Sequence, residues 1–319
     1  MRLAVVIPVY NEAVVIGQTV ERICDVLTTE HVDFELLLVD DGSGDGTGDI
    51  LRQLAASDAR IKVLGLSRNF GHQAALTAGL DVAEADAVVV MDADQQDPPE
   101  LLIALIAGFR AGWDIVSPRR VARNGESLFK RVTAKAFYTF MNLFVDRRLA
   151  SEVGDFRLFS RRAVLALRAY REHNRFLRGI VASLGLPELF VPFTRQPRAA
   201  GNTKYKIRNM IRLAWTATTA ASGAPLRMGF LFASLFSVAS IATVLLTPAW
   251  ASRVILGALA LQSLAMGIMG EYLLRIHDQS KCRPLYIVSW SCNIDVRKCA
   301  AENAVFLPPR ESITANARN

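Results

Sequence analysis

Four short apolar runs recur in the first third of the chain, and each is followed by a longer stretch with helical periodicity. The runs are LAVVIPV, FELLLVD, IKVLGLS and AVVVMDA. Uninterrupted runs of this kind, bounded by turn residues, are typical of strands that are buried on both faces of a parallel sheet. Their alternation with helices predicts βαβ units, and therefore an α/β fold with a mainly parallel sheet.

A polar cluster follows each of the four predicted strands. The clusters are Pro8 to Glu12, Asp40 to Ser43, Ser67 to His72, and Asp92 to Gln96. The carboxyl ends of parallel strands meet at one edge of a sheet, and ligands bind at that edge. The four clusters together therefore predict a single binding site.

The stretch VVVMDADQQDPPE places Asp92 and Asp94 directly behind the fourth run. Two carboxylates so close together repel each other, and a divalent cation removes that repulsion. Mg²⁺ or Mn²⁺ prefers oxygen ligands from Asp and Gln together with substrate phosphates, which predicts a metal site at Asp92 and Asp94. The alternative is a helix-capping cluster, in which Asp97 caps the helix ahead of the two prolines. Capping accounts for Asp97 but not for Asp92 or Asp94.

The loop DDGSGDGTGD is rich in glycine, as phosphate-binding loops are. However, it lacks the Lys-Ser/Thr ending of a P-loop and the GxGxxG spacing of a dinucleotide fold. Its glycines predict a tight turn into a helix that starts near Thr47. Asp40 and Asp41 remain as acceptors for a nucleobase N–H or for sugar hydroxyls.

Two long apolar stretches follow in the last third of the chain. No residue from Met228 to Ser252 is charged, and after Arg253 the chain stays uncharged to Gly270. A helix needs about 20 apolar residues to cross a bilayer. We therefore predict two transmembrane helices, at about 228–248 and 253–274. The alternative, a buried hairpin of a soluble protein, does not require such length without charge.

Basic residues flank this pair of predicted spans. Arg227 precedes it, and Arg275, Lys281 and Arg283 follow it, whereas the loop carries only Arg253. The positive-inside rule then places both flanks in the cytoplasm. The prediction is a multi-pass protein of the cytoplasmic (inner) membrane with a cytoplasmic catalytic domain.

The charge of the chain is unevenly distributed. Residues 1–110 carry 7 basic and 18 acidic side chains, whereas residues 111–227 carry 22 basic and 7 acidic ones. An acidic first third suits a cation, and a basic middle third suits phosphates or an anionic membrane. No nucleic-acid partner is predicted, because the aromatic-basic modules that read bases are not recognisable. About half of the basic residues in SPRRVARNGESLFKR and GNTKYKIR fit a solvated face, and our candidates for an acceptor phosphate are Arg119, Lys130, Arg131 and Lys204.

The chain resembles the inverting family 2 glycosyltransferases with the GT-A fold, and within them the polyprenyl-phosphate sugar transferases. The motifs that carry the resemblance are IPVYNE, LLVDDGSGDGT, LSRNFGHQAALTAGLD, VVMDADQQDPPE, GDFRLFSRRAV, NRFLRG, GNTKY and GEYLLRIHDQSKCRPLYIV. They cover roughly residues 3–290. One departure is Gln95, where family members usually carry an apolar residue. The resemblance implies a Rossmann-like GT-A domain, followed by interfacial helices and a transmembrane hairpin.

The same resemblance assigns roles by position. Pro8, Tyr10, Glu12 and Asp41 would contact the nucleotide, with Asp41 reading the base. Asp92 would face the diphosphate, while Asp94 and Gln96 would ligate the metal. Asp155, in GDFR, would lie near the acceptor phosphate. We therefore expect Asp92, Asp94 and Asp155 to form the catalytic set.

The reaction implied is transfer of a sugar from a nucleotide diphosphate sugar to undecaprenyl or decaprenyl phosphate, for glycosylation of the cell envelope. The motifs favour UDP-glucose, with GDP-mannose, UDP-galactose and UDP-N-acetylhexosamines left open. The family also allows a homo-tetramer. The rivals are a processive polysaccharide synthase, whose QxxRW motif is missing, a haloacid-type phosphatase, which requires Thr or Val at Gln96, and a non-catalytic membrane scaffold.

These inferences divide the chain into four parts. Residues 1–205 form the predicted cytoplasmic GT-A domain, and residues 206–226 form a juxtamembrane amphipathic helix. Residues 227–275 hold the two spans, and residues 276–319 form a cytoplasmic tail. The basic-apolar segment LFKRVTAKAFYTFMNLF within the first part fits an interfacial helix or a helix that faces the core.

Overall fold

The computed structural model describes residues 1–94, 96–120, 153–173, 175–193, 251–294 and 304–306, together with residues 226, 234, 238 and 241. Three predicted phosphate-binding residues, Lys130, Arg131 and Lys204, lie outside this described part. The first predicted span and the predicted amphipathic helix also lie outside it, apart from those four single positions.

Strands and helices alternate along the first 110 residues, as predicted. They are β1 (Arg2–Val9), α1 (Ile16–Thr29), β2 (Asp33–Asp40), α2 (Thr47–Ser57), β3 (Ile61–Leu66), α3 (His72–Val82), β4 (Ala87–Val90) and α4 (Leu101–Arg110). The later elements are β5 (Ile115–Arg120), β6 (Arg157–Ser160), α5 (Arg161–Ala169), α6 (Leu177–Leu184), β7 (Glu188–Phe193), α7 (Ala251–Ser280), β8 (Tyr286–Cys292) and β9 (Ala304–Phe306).

The described strands form one mixed sheet in the order β7-β5-β6-β4-β1-β2-β3-β8-β9. Strands β4, β1, β2 and β3 lie side by side in parallel, whereas β6 and β8 pair antiparallel to β4 and β3. This mixed α/β sheet is consistent with the GT-A fold. The order also brings the carboxyl ends of the four predicted strands to one edge.

The central strand β1 is buried on both faces, which explains its unbroken apolar sequence. Leu3, Val5 and Ile7 belong to an apolar cluster that includes residues of α1, α2 and α4, while Ala4 and Val6 belong to a second cluster that includes residues of α3, α5 and α6. Full burial of such a side chain contributes about 1.5–3 kcal/mol. The two apolar layers therefore hold the loops of the carboxyl edge on a rigid support.

Strand β8 comes from the predicted cytoplasmic tail, yet it belongs to the same sheet as the N-terminal strands. The main-chain N–H of Ser67 donates to Ile287 O at 2.9 Å, and the indole of Trp290 covers Gly65. The hydroxyl of Tyr286 donates to Asp81 Oδ2 at 2.9 Å in the core. Residues 286–292 are thus an integral part of the sheet.

Helix α7 contains the second predicted membrane span. Within the described residues, the stretch Gly257–Ser280 is the one helix long and apolar enough to cross a membrane, with mean hydropathy 1.2 and none of its most apolar stretch buried. The helix begins at Ala251 and ends at Ser280, so it extends beyond the predicted 253–274. The two-span hairpin stays a prediction.

Candidate active site

A cavity of about 310 Å³ opens at the carboxyl edge of the sheet. Three of the four predicted polar clusters supply most of its walls, and the second supplies Asp41. Its lining residues are Pro8, Val9, Tyr10, Glu12, Asp41, Asn69, His72, Ala75, Asp92, Ala93 and Asp94. The volume falls in the lower part of the range of small-molecule sites. The structure therefore brings together Pro8, Tyr10, Glu12, Asp41, Asp92 and Asp94 of the predicted set.

The loop after β1 is fixed by the glycine-rich loop after β2. Asn11, at φ 55°, accepts a hydrogen bond at Oδ1 from Gly44 N at 2.9 Å, and its own N–H donates to Ser43 Oγ at 3.0 Å. The N–H of Glu12 donates to Thr47 Oγ1 at 3.0 Å. These contacts leave the ring of Tyr10 exposed at the cavity mouth, where it can stack on a planar group.

Glu12 lies on the acidic side of the cavity. Burial raises the pKa of its carboxyl, and the negative charges of Asp94 and Asp45 raise it further. A cation or a diphosphate-bound cation in the cavity would relieve this repulsion.

The neighbouring residues Asp40 and Asp41 have different roles. The Oδ1 atom of Asp40 accepts from Ser43 N at 3.0 Å, so this carboxylate closes the turn, and it is not among the described residues that line the cavity. Asp41 lines the cavity and accepts from Phe70 N at 2.7 Å and Gly71 N at 2.9 Å. Burial raises the pKa of Asp41, while the two N–H donors oppose that rise. Of the pair, only Asp41 is placed to read a ligand.

The predicted metal residues separate into two environments. Asp92 and Asp94 line the cavity, whereas Gln96 is buried, and its main-chain N–H donates to Asp94 Oδ1 at 3.1 Å. Burial raises the pKa of Asp92, His72 opposes that rise, and Asp155, Asp94 and Asp97 add to it. Of the three predicted metal residues, only Asp92 and Asp94 are therefore among the described residues that line the cavity.

The fit of a divalent cation depends on these two carboxylates. The Oδ1 atom of Asp92 is buried and accepts no hydrogen bond from the described residues. Among those residues, no three His, Cys, Asp or Glu side chains form a group that could hold a metal by themselves. The arrangement fits a cation that takes its remaining ligands from the diphosphate of a substrate, as Mg²⁺ commonly does.

Asp155 lies next to this cavity and is held by a bidentate ion pair. Arg178 Nε donates to Asp155 Oδ1 at 2.9 Å, and Arg178 Nη2 donates to Oδ2 at 3.3 Å. Burial raises the pKa of Asp155, but Arg178 and His72 outweigh it, and the pKa lies below its usual value. Asp155 therefore stays ionised at neutral pH.

His72 connects Asp155 to the metal-facing side of the site. Its Nε2 atom lies 3.6 Å from Asp92 Oδ1 and 3.8 Å from Asp155 Oδ2. The adjacent Gln73 donates from Nε2 to Asp155 Oδ2 at 3.5 Å and accepts Leu177 N at Oε1 at 3.1 Å. The start of α3 thus organises both the cavity and Asp155.

His72, Gln73 and Arg178 were absent from the set predicted from sequence. His72 belongs to the polar cluster after β3, and Arg178 belongs to NRFLRG, so both lay in motifs that the sequence displays. The sequence does not show that these residues lie close to Asp155 in space. Along the chain, Asp155 is 83 residues from His72 and 23 residues from Arg178. Only the folded sheet brings the three together.

The one described member of the predicted phosphate-binding set is Arg119. It lies near the end of β5, is exposed, and its guanidinium stands 5.9 Å from the ring centre of Phe190. It is not among the described residues that line the cavity.

Asp97 does not cap α4 as the alternative interpretation predicted. The helix begins at Leu101, and its N-cap residue is Glu100, so two prolines and Glu100 separate Asp97 from the first helical residue. Asp97 is buried next to the site and raises the pKa of Asp92. The prolines turn the chain first, and the helix starts only after them.

Comparison of the sequence with known families identifies the family of the chain that carries this site. The family described as "Glycosyl transferase family 2" matches residues 4–168, which span β1 through most of α5 and hold the cavity and Asp155. The chain belongs to glycosyl transferase family 2. It is therefore a glycosyltransferase, and the candidate site lies within the part of the chain that matches the family.

Relatives match this family 2 chain along almost its whole length. The "Uncharacterized glycosyltransferase YkcC" of Bacillus subtilis (strain 168) is 37% identical over 93% of this chain and 96% of its own. The "Bactoprenol glucosyl transferase" of Shigella phage SfV is 35% identical over 90% of this chain and 98% of its own. Among solved structures, mannosyl-3-phosphoglycerate synthase from Rubrobacter xylanophilus aligns with a TM-score of 0.45 and 19% identity, over 69% of this chain and 72% of that one.

Proposed function

We propose that this family 2 glycosyltransferase transfers glucose from UDP-glucose to undecaprenyl or decaprenyl phosphate, with inversion at the anomeric carbon. The product would be a lipid-linked sugar donor for cell-envelope glycosylation. The observation that carries the proposal is the pair Asp92 and Asp94, which both line the cavity, while the buried Oδ1 of Asp92 accepts no hydrogen bond from the described residues. Relatives named bactoprenol glucosyl transferase, similar over nine-tenths of the chain, support the lipid acceptor.

The donor half of the proposed site is formed by the loops after β1, β2 and β4. Asp41 would accept a nucleobase N–H, and Tyr10 would cover the base. Mg²⁺ or Mn²⁺ held by Asp92 and Asp94 would neutralise the charge that develops on the departing diphosphate. Gln96 supports Asp94 through its main-chain N–H.

The acceptor half of the proposed site is formed by Asp155, Arg178 and His72. A phosphate monoester has a second pKa near 6, so most of the acceptor is already a dianion at neutral pH. Asp155, with its lowered pKa, is a weak base, and the acceptor does not require a strong one. Its proposed role is to hold Arg178 and His72 in place at the cavity. The rate enhancement would then come from alignment and from electrostatic stabilisation of the leaving group.

The acceptor phosphate would also contact Arg119 and, outside the described residues, Lys130, Arg131 and Lys204. Their cationic side chains suit a lipid phosphate at the membrane surface. The homo-tetramer stays a prediction.

The sheet supports the proposed membrane topology. Strand β7 ends at Phe193 and strand β8 begins at Tyr286, and both belong to one sheet. The chain between them must therefore leave and return on the same side of a membrane. With α7 as one crossing, a second crossing is needed before Ala251, and the apolar stretch 228–248 is long enough to supply it. An even number of crossings would keep the catalytic domain and β8 on one side of the membrane, and the positive-inside rule favours the cytoplasm for that side.

The decisive experiment offers a panel of nucleotide sugars to the purified full-length protein in liposomes that contain undecaprenyl phosphate. Mass analysis of the lipid product should give a hexosyl phosphate lipid with UDP-glucose, and EDTA should abolish the transfer until Mn²⁺ or Mg²⁺ is added. If lipid product forms only with GDP-mannose, UDP-galactose or a UDP-N-acetylhexosamine, then that nucleotide sugar is the donor, and the assignment of UDP-glucose is wrong.

The metal proposal is tested with Asp94→Asn, which removes one negative charge from the cavity. We expect transfer to fall by at least about a hundredfold, since removal of one transition-state charge stabiliser typically costs 10²–10³. Asp49→Asn is the matched control, because Asp49 is an exposed aspartate that pairs with Arg52 on the surface of α2. Full metal-dependent activity in Asp94→Asn would refute the proposal.

A further inference from the structure

The last turn of α7 holds a loop of the catalytic domain through one side chain. Gln279 accepts a hydrogen bond at Oε1 from His173 N at 3.0 Å and donates from Nε2 to Arg171 O at 3.2 Å. Both bonds are made to main-chain atoms, so they fix the backbone of the loop rather than a particular side chain. We refer to residues 170–173 and 175–176 as the linking segment.

The linking segment leads directly into the residues that hold Asp155. It ends at Phe176, and α6 starts at Leu177, whose N–H donates to Gln73. The next residue, Arg178, makes the bidentate pair with Asp155. The two bonds of Gln279 therefore fix the position of α7 relative to the first turn of α6 and to the guanidinium that orients Asp155.

The other contacts of the linking segment attach it to the same rigid support as the cavity. Arg171 Nη1 donates to Asp81 Oδ2 at 2.7 Å, and Tyr286 of β8 donates to the same oxygen. Arg175 Nη2 donates to Leu167 O at 2.7 Å. Among the described residues, Gln279 provides a direct contact between this supported segment and the candidate membrane helix.

The position of Gln279 relates the site to the bilayer. Helix α7 has 30 residues and a length of about 45 Å, which exceeds the bilayer core of about 30 Å. The end of α7 at Ser280 leads within six residues to Tyr286 in the sheet, so this end lies on the side of the catalytic domain. A lipid phosphate lies at a fixed depth in the membrane surface, and Asp155 must meet it there.

We propose that Gln279 is a positioning residue, which sets the height of the Asp155–Arg178 pair above the membrane and so aligns it with the phosphate of a membrane-held acceptor. The inference rests on the proposed lipid acceptor and on α7 as a membrane span. It assigns Gln279 no contact with either substrate. Loss of the Gln279 side chain should slow transfer to an acceptor that is held in the bilayer. An acceptor that diffuses freely in water does not depend on the height of the site above the membrane, so transfer to it should not change.

The test uses the full-length protein in liposomes with two acceptors, undecaprenyl phosphate and a short-chain, water-soluble isoprenyl phosphate. Gln279→Leu keeps the size of the side chain and removes both hydrogen bonds. We expect kcat/KM for undecaprenyl phosphate to fall about three- to tenfold, the effect of about one lost neutral hydrogen bond. The value for the short-chain acceptor and the KM for the donor should stay at the wild-type level.

Two further variants separate this role from a general loss of stability. Gln279→Glu keeps an acceptor for His173 N but loses the donor to Arg171 O, so its effect should lie between those of wild type and Gln279→Leu. Ser280→Ala is the control, because the Ser280 hydroxyl donates to His277 O within α7. Hydrogen exchange of a peptide covering residues 170–178 should be faster in Gln279→Leu and unchanged in Ser280→Ala.

An equal loss with both acceptors, or no loss with undecaprenyl phosphate, would overturn the positioning role. Unchanged exchange in the 170–178 peptide would overturn it as well. Failure of the wild-type protein to use either acceptor would overturn the proposed acceptor, and this inference with it, before any variant is compared.

Discussion

Replacing Arg178 by glutamine tests the charge balance at Asp155. In the wild-type protein, Arg178 holds both oxygens of Asp155, at 2.9 and 3.3 Å. The side chain of Asp155 is 11% exposed, and that of Arg178 is 41% exposed. Glutamine removes the positive charge and keeps at most a weak hydrogen bond. Asp155 then lies buried close to Asp92 without its main counter-charge, so its pKa should rise from its lowered value.

The magnitude follows from the geometry of the pair. A hydrogen bond to a charged group contributes about 1.5–3 kcal/mol, and the partial exposure of Arg178 reduces this to about 1–2 kcal/mol. For a catalytic domain of this size, we expect a melting temperature lower by about 2–8 °C. Because Asp155 orients His72 and Arg178 in the proposed site, we also expect sugar transfer to fall about tenfold or more.

The lowered pKa of Asp155 also predicts how the loss of stability in Arg178→Gln changes with pH. A lowered Asp pKa stabilises the folded protein above the unfolded pKa of about 3.9, and this stabilisation disappears as the pH falls through the folded pKa. In Arg178→Gln the raised pKa removes the stabilisation, and protonation of Asp155 relieves the remaining strain at low pH. The difference in melting temperature between wild type and variant should therefore be largest near neutral pH and smaller near about pH 4, where the unfolded carboxyl begins to be protonated.

Thermal unfolding in detergent at both pH values measures this difference. Arg22→Gln is the control, since the Arg22–Glu100 pair has a similar distance of 2.8 Å but both of its side chains are largely exposed. Such surface pairs contribute about 0–1 kcal/mol. A loss in Arg178→Gln no larger than in Arg22→Gln, or a difference that grows as the pH falls, would refute the reasoning.

Two other predictions concern the sheet and the donor site. In Gly65→Ala the new Cβ would lie 1.9 Å from Trp290 Nε1 and displace β8, so thermal unfolding should show a loss of about 1–3 kcal/mol. Gly17→Ala, with no atom within 4 Å of the new Cβ, should instead stabilise α1 by about 0.5–1 kcal/mol. In Asp41→Asn the NH₂ group of the new amide would point at one of the main-chain N–H donors, Phe70 or Gly71, and disturb the side chain that is proposed to bind the nucleobase. Steady-state kinetics should therefore show a KM for the sugar donor that is about tenfold higher. Since burial raises the pKa of Asp41, the wild-type donor KM should rise as the pH falls through that pKa, whereas the Asn variant should show no such rise.

The strands that end at the carboxyl edge of the sheet could be predicted because each one has a local sequence pattern. The run LAVVIPV gave β1, which is Arg2–Val9 in the structure, and the glycine-rich loop gave a helix that starts at Thr47 after Gly46 at φ 91°. Burial on both faces requires an unbroken apolar run, and a tight turn requires glycine. These requirements act within a few residues, so the sequence shows them directly.

The pairing of β8 with β3 has no such local signature. Gly65 weakens a strand when considered alone, and its role becomes clear only when Trp290 covers it from the other end of the chain. Likewise, nothing near Asp81 predicts that Tyr286 donates to it. These contacts form between segments separated by more than 200 residues, so the sequence at either end does not predict them.

The same distinction divides the active site into a predictable and an unpredictable half. The proposed donor half consists of Asp41, which follows β2, and of Asp92 and Asp94, which follow β4, and it lies within the acidic first third of the chain. The proposed acceptor half joins His72 to Asp155 and Arg178 from the basic middle third, through contacts that only the folded sheet creates. The uneven charge of the chain agrees with this division: the acidic segment supplies the carboxylates that line the cavity, and the basic segment supplies the counter-charge that keeps Asp155 ionised beside them. Without Arg178, Asp155 and Asp92 would compete for a proton, and the cavity would lose one of the charges that distinguish its two sides.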